Sequence, residues 1–487
     1  MQKIFTCSQA SELEKLAKES YAIPPFLMME NAAVSMAAFL ENAESLLIVC
    51  GKGNNGGDGY ALARLLQGKM KIILAALEAP AAEEAKAQCE MCRRLGLEIL
   101  TASESTDFMT SFEKICKNLT SSDFIVDCIY GTGFHGNLSP DVEKIINIMN
   151  KSPAQRLACD IPSGLEVNAD YTITMGCHKL ALYSDKAKAV CGKIIVADLG
   201  ISREKFETSK GQSKLFLVEA ADRELPLRKN RAVHKGKFGH TALLCGDKSG
   251  AAILAASAAM SFGSGLTNLV KTAACDLNQF KISPSLMVSD SIPKKTSCIL
   301  AGSGFSDFSQ EAASLLVNWF KAVKAPAALL DAGMLTSPES PVLLETLNSF
   351  EDARIVLTPH LSELSRLLQA CKMEGDISVE ALAENPEARI AAGNFLTERF
   401  PRTTVIMKSA NTFIACGGET FVIADGAQSL AKGGSGDLLA GMTASLLAQG
   451  YSASSAAITA AEHHALISQK AGSQAYNLTP EVFLSYL

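Results

Sequence analysis

Ala431-Lys432-Gly433-Gly434-Ser435-Gly436-Asp437 is a polar glycine loop that opens an apolar segment with helical periodicity, 438–447. Glycines there let main-chain N–H groups face outward at a helix start, where the dipole favours an anion. Asp437, in the first turn, sets a carboxylate beside whatever those amides hold. A phosphate in the amides and a carboxylate alongside make a site for phosphoryl transfer to a hydroxyl. The bland alternative is a glycine turn followed by an acid that merely suits the dipole.

The same chemistry gathers elsewhere at the ends of short apolar runs. Gly51-Lys52-Gly53-Asn54-Asn55-Gly56-Gly57-Asp58-Gly59 follows one run, and Cys128-Ile129-Tyr130-Gly131-Thr132-Gly133-Phe134-His135-Gly136-Asn137 follows a second. Asp160-Ile161-Pro162-Ser163-Gly164 follows a third. Gly51-x-Gly53-x-x-Gly56 fits a dinucleotide fingerprint, with Glu78 near the distance of a ribose-binding acid. That reading leaves Asn54, Asn55 and Asp58 without a use. Later in the chain come Gly302-Ser303-Gly304, Asp331-Ala332-Gly333, Thr358-Pro359-His360 with Glu363, and Lys408-Ser409-Ala410-Asn411-Thr412. A histidine like His360 is by itself more often a satisfied loop residue than a ligand contact.

The elements that must position these loops alternate. Helices are expected at 9–19 and 27–40, and strands at 45–50, 70–76, 124–127, 156–159 and 193–198. A charged, proline-bearing stretch, 219–231, marks a boundary. Beyond it strands are expected at 240–245, 297–301, 327–330, 354–357 and 404–407, with a hairpin of 413–416 and 420–423. Strands alternating with helices predict α/β domains with mostly parallel sheets, whose ligands bind beyond the carboxyl ends of the strands.

Composition narrows the class. A chain of 487 residues exceeds one ordinary core, and 48% apolar with 20% charged residues suits compact domains. The net charge of −6 comes with no basic stripe interleaved with aromatics, which argues against nucleic acid. No apolar run reaches a membrane span, and the first residues lack a signal-peptide core. Fourteen cysteines without disulfide spacing suggest reduced thiols and a cytoplasmic location. Cys89 and Cys92 form a C-x-x-C within a helical pattern and lack a second ligand pair.

Asn54-Asn55-Gly56-Gly57-Asp58-Gly59, Asp127 with Gly131-Thr132-Gly133, and Asp160-Ile161-Pro162-Ser163-Gly164 together resemble the NAD(P)H-hydrate epimerase domain. The resemblance covers 1–216 and implies a Rossmann-like three-layer unit. It implies that Asn54, Asn55, Gly56, Gly57 and Asp58, with Gly131, Thr132, Gly133, Phe134, His135, Gly136, Asn137 and Asp160, hold the hydrated nucleotide. It also implies a potassium ion on Asn55, Asp127 and Ser163. Epimerisation at C6 needs a proton donor and acceptor, and Asp160 with Lys179 is the expected pair. Leu180-Ala181 follow that lysine where the family usually has Pro-Gly.

The second half resembles the ADP- or ATP-dependent NAD(P)H-hydrate dehydratases of the ribokinase-like superfamily, over 231–487, with 217–230 as linker. By that resemblance Ala252, Gly304, His360 and Asp437 contact the hydrate, and Lys408, Ser409, Ala410, Asn411, Thr412 and Gly436 the adenine nucleotide. ADP, with magnesium on its phosphates, would phosphorylate the C6 hydroxyl; elimination then releases phosphate and AMP. Asp437 would take the hydroxyl proton. The expected partners are the hydrates of NADH and NADPH (NADHX and NADPHX) and ADP, in a homo-oligomer. Two alternatives stay open: a ribokinase-like small-molecule kinase fused to a nucleotide-binding domain, and a first half that binds nucleotides as a scaffold.

Overall fold

A computed structural model of the chain describes residues 1–103, 107–208 and 213–487. Two compact units divide it: Lys3–Ser213, and Lys214–Leu487 together with Met1–Gln2. Both are mixed α/β, as the alternation of patterns predicts. The division falls ahead of the expected 217–230 linker. Leu215–Leu217 is a strand paired in parallel with Glu419–Ile423, and Val218 is buried in the second unit's core. Four apolar residues before a charged stretch are too few to register as a periodic element.

In the first unit seven parallel strands follow the order Ile99–Thr101, Lys71–Ala76, Ser45–Cys50, Phe124–Cys128, Gln155–Cys159, Tyr171–Met175, Lys193–Ala197. The sheet is covered on both faces. Leu46, Ile48 and Cys50 face one core, while Leu47 and Val49 face another. That explains a strand apolar at every position, since alternate residues meet different helices. A second, short parallel pairing joins Gln2–Phe5 to His178–Lys179. Three neighbouring strands end in buried cysteines, Cys50, Cys128 and Cys159. Cys89 and Cys92 lie on the helix Glu83–Arg94, turned into the core, where Cys92 Sγ donates to the Tyr60 carbonyl at 3.1 Å.

The second unit's parallel strands run in the order Met287–Ser289, Leu266–Lys271, His240–Cys245, Cys298–Ala301, Ala327–Leu330, Arg354–Leu357, Thr403–Met407. The antiparallel hairpin Thr412–Cys416 and Glu419–Ile423 extends it, and its turn residues Gly417 and Gly418 have φ of 57° and 79°. A two-residue turn that matches strand twist needs positive φ at both positions, which glycine supplies freely. The helices Ser249–Ser261 and Ser435–Ala448 pack together through small side chains. Gly441 allows this, because a Cβ there would lie 2.0 Å from the Ala255 carbonyl oxygen. Among the described residues no single helix is long and apolar enough to cross a membrane.

Candidate functional site

In the first unit the strand order reverses between Ser45–Cys50 and Phe124–Cys128. Loops leaving neighbouring strands in opposite directions open a crevice at such a point. A cavity of about 600 Å³ fills it. Asn54, Asn55 and Asp58 line it from the start of the helix Asn54–Leu66. Gly131, Thr132, Gly133, Phe134 and His135 line it from the next loop, and Asp160 from the end of Gln155–Cys159. Tyr130 stacks on Phe134 at 4.4 Å within this wall. Gly56 and Gly57 are buried inside their helix, while Gly136 and Asn137 are exposed farther along the loop that follows Phe124–Cys128.

Asp160 is the best-coordinated group here. Its backbone is left-handed, φ 72°, which costs a non-glycine residue roughly 1 kcal/mol and turns the carboxylate back into the crevice. Oδ1 accepts from Lys179 Nζ at 2.5 Å, from Met175 N at 3.2 Å and from Thr174 Oγ1 at 3.3 Å. Oδ2 accepts from Thr132 N at 2.9 Å and from the Thr132 hydroxyl. Burial alone would push this carboxyl up, but Lys179 and the other donors outweigh it and hold it below the ordinary range.

Lys179 stands behind Asp160, 1% exposed. Its three N–H donors are all taken, by Asp160, by Thr174 Oγ1 at 3.2 Å and by the Met175 carbonyl at 2.9 Å. Burial works against its charge, yet Asp160 keeps its pKa above the ordinary one. The sequence brings Asp160 and Lys179 together as expected, but as a closed ion pair whose lysine has no spare proton facing the cavity.

Asp127 and Ser163 meet just below. Ser163 Oγ donates to Asp127 Oδ1 at 2.6 Å, and Ser163 N to Oδ2 at 2.8 Å. Burial raises the Asp127 carboxyl to about 6 despite these donors. Asn55 has a buried side-chain nitrogen with no hydrogen-bond partner. A Cβ on Gly131 would lie 3.0 Å from both Asn55 Oδ1 and Asp160 Oδ2, so these two groups crowd one glycine.

In the second unit Asp437 sits in the first turn of Ser435–Ala448, three residues after the left-handed Gly434 at φ 90°. Burial first, and Asp331 next, raise its carboxyl to about 6, against the pull of Lys408 and a hydrogen bond from Ser303. Four strand ends converge on Asp331. Lys408 Nζ donates to its Oδ1 at 3.2 Å, Thr358 Oγ1 to the same oxygen at 2.8 Å, and Ser303 Oγ to Oδ2 at 3.1 Å. Burial disfavours the Lys408 ammonium, but Asp331, with Glu363 and Asp437, outweighs it and holds its pKa above the ordinary one. A Cβ on Gly436 would lie 3.3 Å from Lys408 Nζ, so helix start and lysine share one space.

His360 begins the helix Leu361–Ala370. Its Nδ1 accepts from Glu363 N at 3.3 Å, and Glu363 Oε2 accepts from His360 N at 2.9 Å, a reciprocal cap that fixes the loop. Lys408 N donates to the Pro359 carbonyl at 2.9 Å, tying this loop to the next. Of the other expected residues, Ser409 is half-buried, Ala410 exposed, and Thr412 opens its strand. Asn411 is buried, its carbonyl accepting from Arg389 Nη1 at 2.9 Å. Gly304 has φ 84° and its carbonyl accepts from Lys248 N at 2.8 Å. Ala252 is wholly buried in the helix core.

A family model described as NAD(P)H-hydrate dehydratase matches residues 241–486, and one described as YjeF-related protein N-terminus matches 26–181. The bifunctional NAD(P)H-hydrate repair enzyme of Helicobacter pylori is 33% identical over 485 residues, covering 97% of each chain. The chain belongs to the bifunctional NAD(P)H-hydrate repair enzyme family. The repair enzyme of Coxiella burnetii is 30% identical over 507 residues, covering 97% of this chain and 96% of its own. Among solved structures, a ribokinase-like superfamily protein from Enterococcus faecalis is 22% identical, TM-score 0.46, covering 57% of this chain and 95% of its own. An ADP/ATP-dependent NAD(P)H-hydrate dehydratase from Bacillus subtilis, co-crystallised with ATP and Mg2+, is also 22% identical, TM-score 0.42, covering 53% and 90%.

Two parts of this repair-family chain escape sequence reasoning. Glu14, on the helix Cys7–Tyr21, lines the first cavity. Its only signal is an acid bordering the buried stripe Ala10, Leu13, Ala17. His464, on Ala453–Ala471, is buried with its Nε2 3.1 Å from the Ser435 carbonyl oxygen, beneath the glycine loop. Burial drops its pKa to about 4, so it is neutral and can donate to that carbonyl. Nothing local distinguishes it from a core histidine.

Proposed function

We propose that the two sites act in turn on one damaged cofactor. The first unit interconverts the R and S forms of NADH or NADPH hydrate at C6, and the second dehydrates the S form with ADP. The carrying observation is Asp437: a half-buried carboxyl with a pKa of about 6, in the first turn of a helix that opens with a left-handed glycine, beside Lys408 and Asp331. At neutral pH such a group is ionised, yet basic enough to accept a hydroxyl proton.

In the second unit the main-chain donors of 434–436 would hold the moving phosphoryl group, with Lys408 balancing its charge. Asp437 takes the proton of the C6 hydroxyl as its oxygen bonds to the β-phosphorus of ADP, taken as its magnesium complex, and AMP leaves. Phosphate then departs from C6 with the bonding electrons, and loss of a proton from C5 restores the ring double bond. Hydroxide leaves poorly, and phosphate leaves well. His360 and the neighbourhood of Gly304 would hold the hydrate, and Lys408 to Thr412 with Gly436 the nucleotide. Asn411, being buried, would contribute through its main chain.

In the first unit Asn54, Asn55, Asp58, the loop 131–137 and Asp160 would hold the hydrated nucleotide, with Lys179 keeping Asp160 ionised. Asn55, Asp127 and Ser163 suit a potassium ion. The set is oxygen-bearing, Asp127 is a buried carboxyl hydrogen-bonded by the neutral donors Ser163 N, Ser163 Oγ and Ile129 N, and Asn55 carries an orphaned amide nitrogen whose place a rotated amide oxygen could take. When bound, the ion would neutralise Asp127 and tie the two loops together.

The test supplies a mixture of both hydrate epimers with ADP and magnesium and follows reduced-cofactor absorbance. Full consumption of the mixture, with AMP and phosphate released, is expected. Asp437→Asn should slow dehydration about 10²- to 10⁴-fold while ADP still binds. Accumulation of a stable phosphorylated product would instead favour a kinase.

A further inference from the structure

The ion pair at Asp160 leaves the first site short of a proton donor. Exchange at C6 by departure of the hydroxyl and return of water on the other face needs the departing oxygen to be protonated. Lys179 has each of its three protons engaged and is sealed behind Asp160. Asp160 has five donors on its two oxygens, so it is held as a carboxylate. Glu14 lines the same cavity from a different wall, the helix Cys7–Tyr21, and among the described residues no hydrogen bond ties its carboxyl.

We propose that Glu14 is the acid–base residue of the first site, donating the proton on which exchange at C6 depends. This rests on the epimerase reading given above. The Glu14 carboxyl passes its proton to the C6 oxygen. The C6–O bond breaks with its electrons as water leaves, and the ring-nitrogen lone pair forms a C=N cation. Water adding to the other face gives the other epimer, and its surplus proton returns to the Glu14 carboxylate through solvent. Asp160, ionised throughout, stabilises the cation. Two carboxyls in unlike surroundings thus divide the roles of acid and permanent anion. The electrostatics agree: burial raises the Glu14 carboxyl, Asp160 raises it further, and Lys179 opposes them. Asp58, also in the cavity wall and itself raised by burial, Asp160 and Glu14, is the competing acid.

The experiment measures epimer exchange by the full chain, above the spontaneous rate, across pH. A general acid is active while protonated, so the wild-type rate should fall as pH rises through the Glu14 pKa. Glu14→Gln should lose 10²- to 10⁴-fold in kcat and lose that alkaline fall, with KM within about threefold. Glu14→Asp should recover part of the rate. Asp58→Asn should keep the alkaline fall whatever its rate. Exchange by Glu14→Gln within threefold of wild type, or disappearance of the alkaline fall in Asp58→Asn instead, overturns the proposal. Absence of exchange in the wild-type chain overturns the epimerase reading beneath it.

Discussion

Replacing Lys179 by Met tests whether the buried pair is organised as described. The side chain is 1% exposed and supplies one of five donors to Asp160, so methionine fills the space but leaves the carboxylate without its counter-charge. Removing one partner of a buried ion pair costs about 3–5 kcal/mol, because the other charge stays desolvated. For a unit the size of Lys3–Ser213, about 2–4 °C per kcal/mol makes the expected fall in Tm roughly 6–20 °C. The sole tryptophan, Trp319, lies in the second unit, so its fluorescence follows that unit while far-UV dichroism follows both. The difference isolates the first. The wild-type pair is fully formed from above the carboxylate range to below the ammonium range, since Asp160 titrates low and Lys179 high. In the variant the lone Asp160 is raised by burial, so acid should relieve the loss. Adding Asp160→Asn should recover most of it. A loss below about 1 kcal/mol, or a double variant no better than the single one, would refute the argument.

Asp331 is among the causes that hold the Asp437 carboxyl up at about 6. Dehydration should therefore rise with pH through about 6 and level off, and Asp331→Asn should move that rise to lower pH; an unmoved profile removes Asp331 from the site. Gly131→Ala places a methyl 3.0 Å from Asn55 Oδ1 and Asp160 Oδ2. Displacing these groups should slow epimer exchange about a hundredfold and spare dehydration of the S form, checked by assaying each reaction alone. Potassium at a hundred times its Kd should stabilise the first unit by about 2.7 kcal/mol over a sodium control in urea titrations, and Asp127→Asn should abolish the difference.

Much of this was legible because parallel strands sealed on both faces are continuous apolar runs with chemistry at one end. The strands at 45–50, 240–245, 327–330 and 354–357 fall where those runs fall. Tyr171–Met175 was illegible: Thr172 and Thr174 interrupt its apolar run, and both are buried, Thr174 to reach Asp160. Leu266–Lys271 hides in the same way behind buried Thr267 and Asn268. Asp160, Asp127 and Asp437 could be picked out from their places at strand ends or a helix start. Glu14 and His464 could not, because a helix shows only which face is apolar, and neither residue departs from that pattern. The closed valences of Lys179 were equally hidden, since Thr174 and Met175 matter only once the chain has turned back on itself.

The buried cysteines give the fold a built-in chemical clock. Burial pushes the thiols of Cys50, Cys128 and Cys159 up and away from the reactive thiolate. They sit at the ends of three adjacent strands, so a reagent reaches them when those strands part; in the second unit buried Cys245 ends the strand His240–Cys245 and buried Cys298 begins its neighbour Cys298–Ala301. Alkylation rates at these five positions, read by mass spectrometry, would therefore time the opening of each sheet separately, without label or mutation.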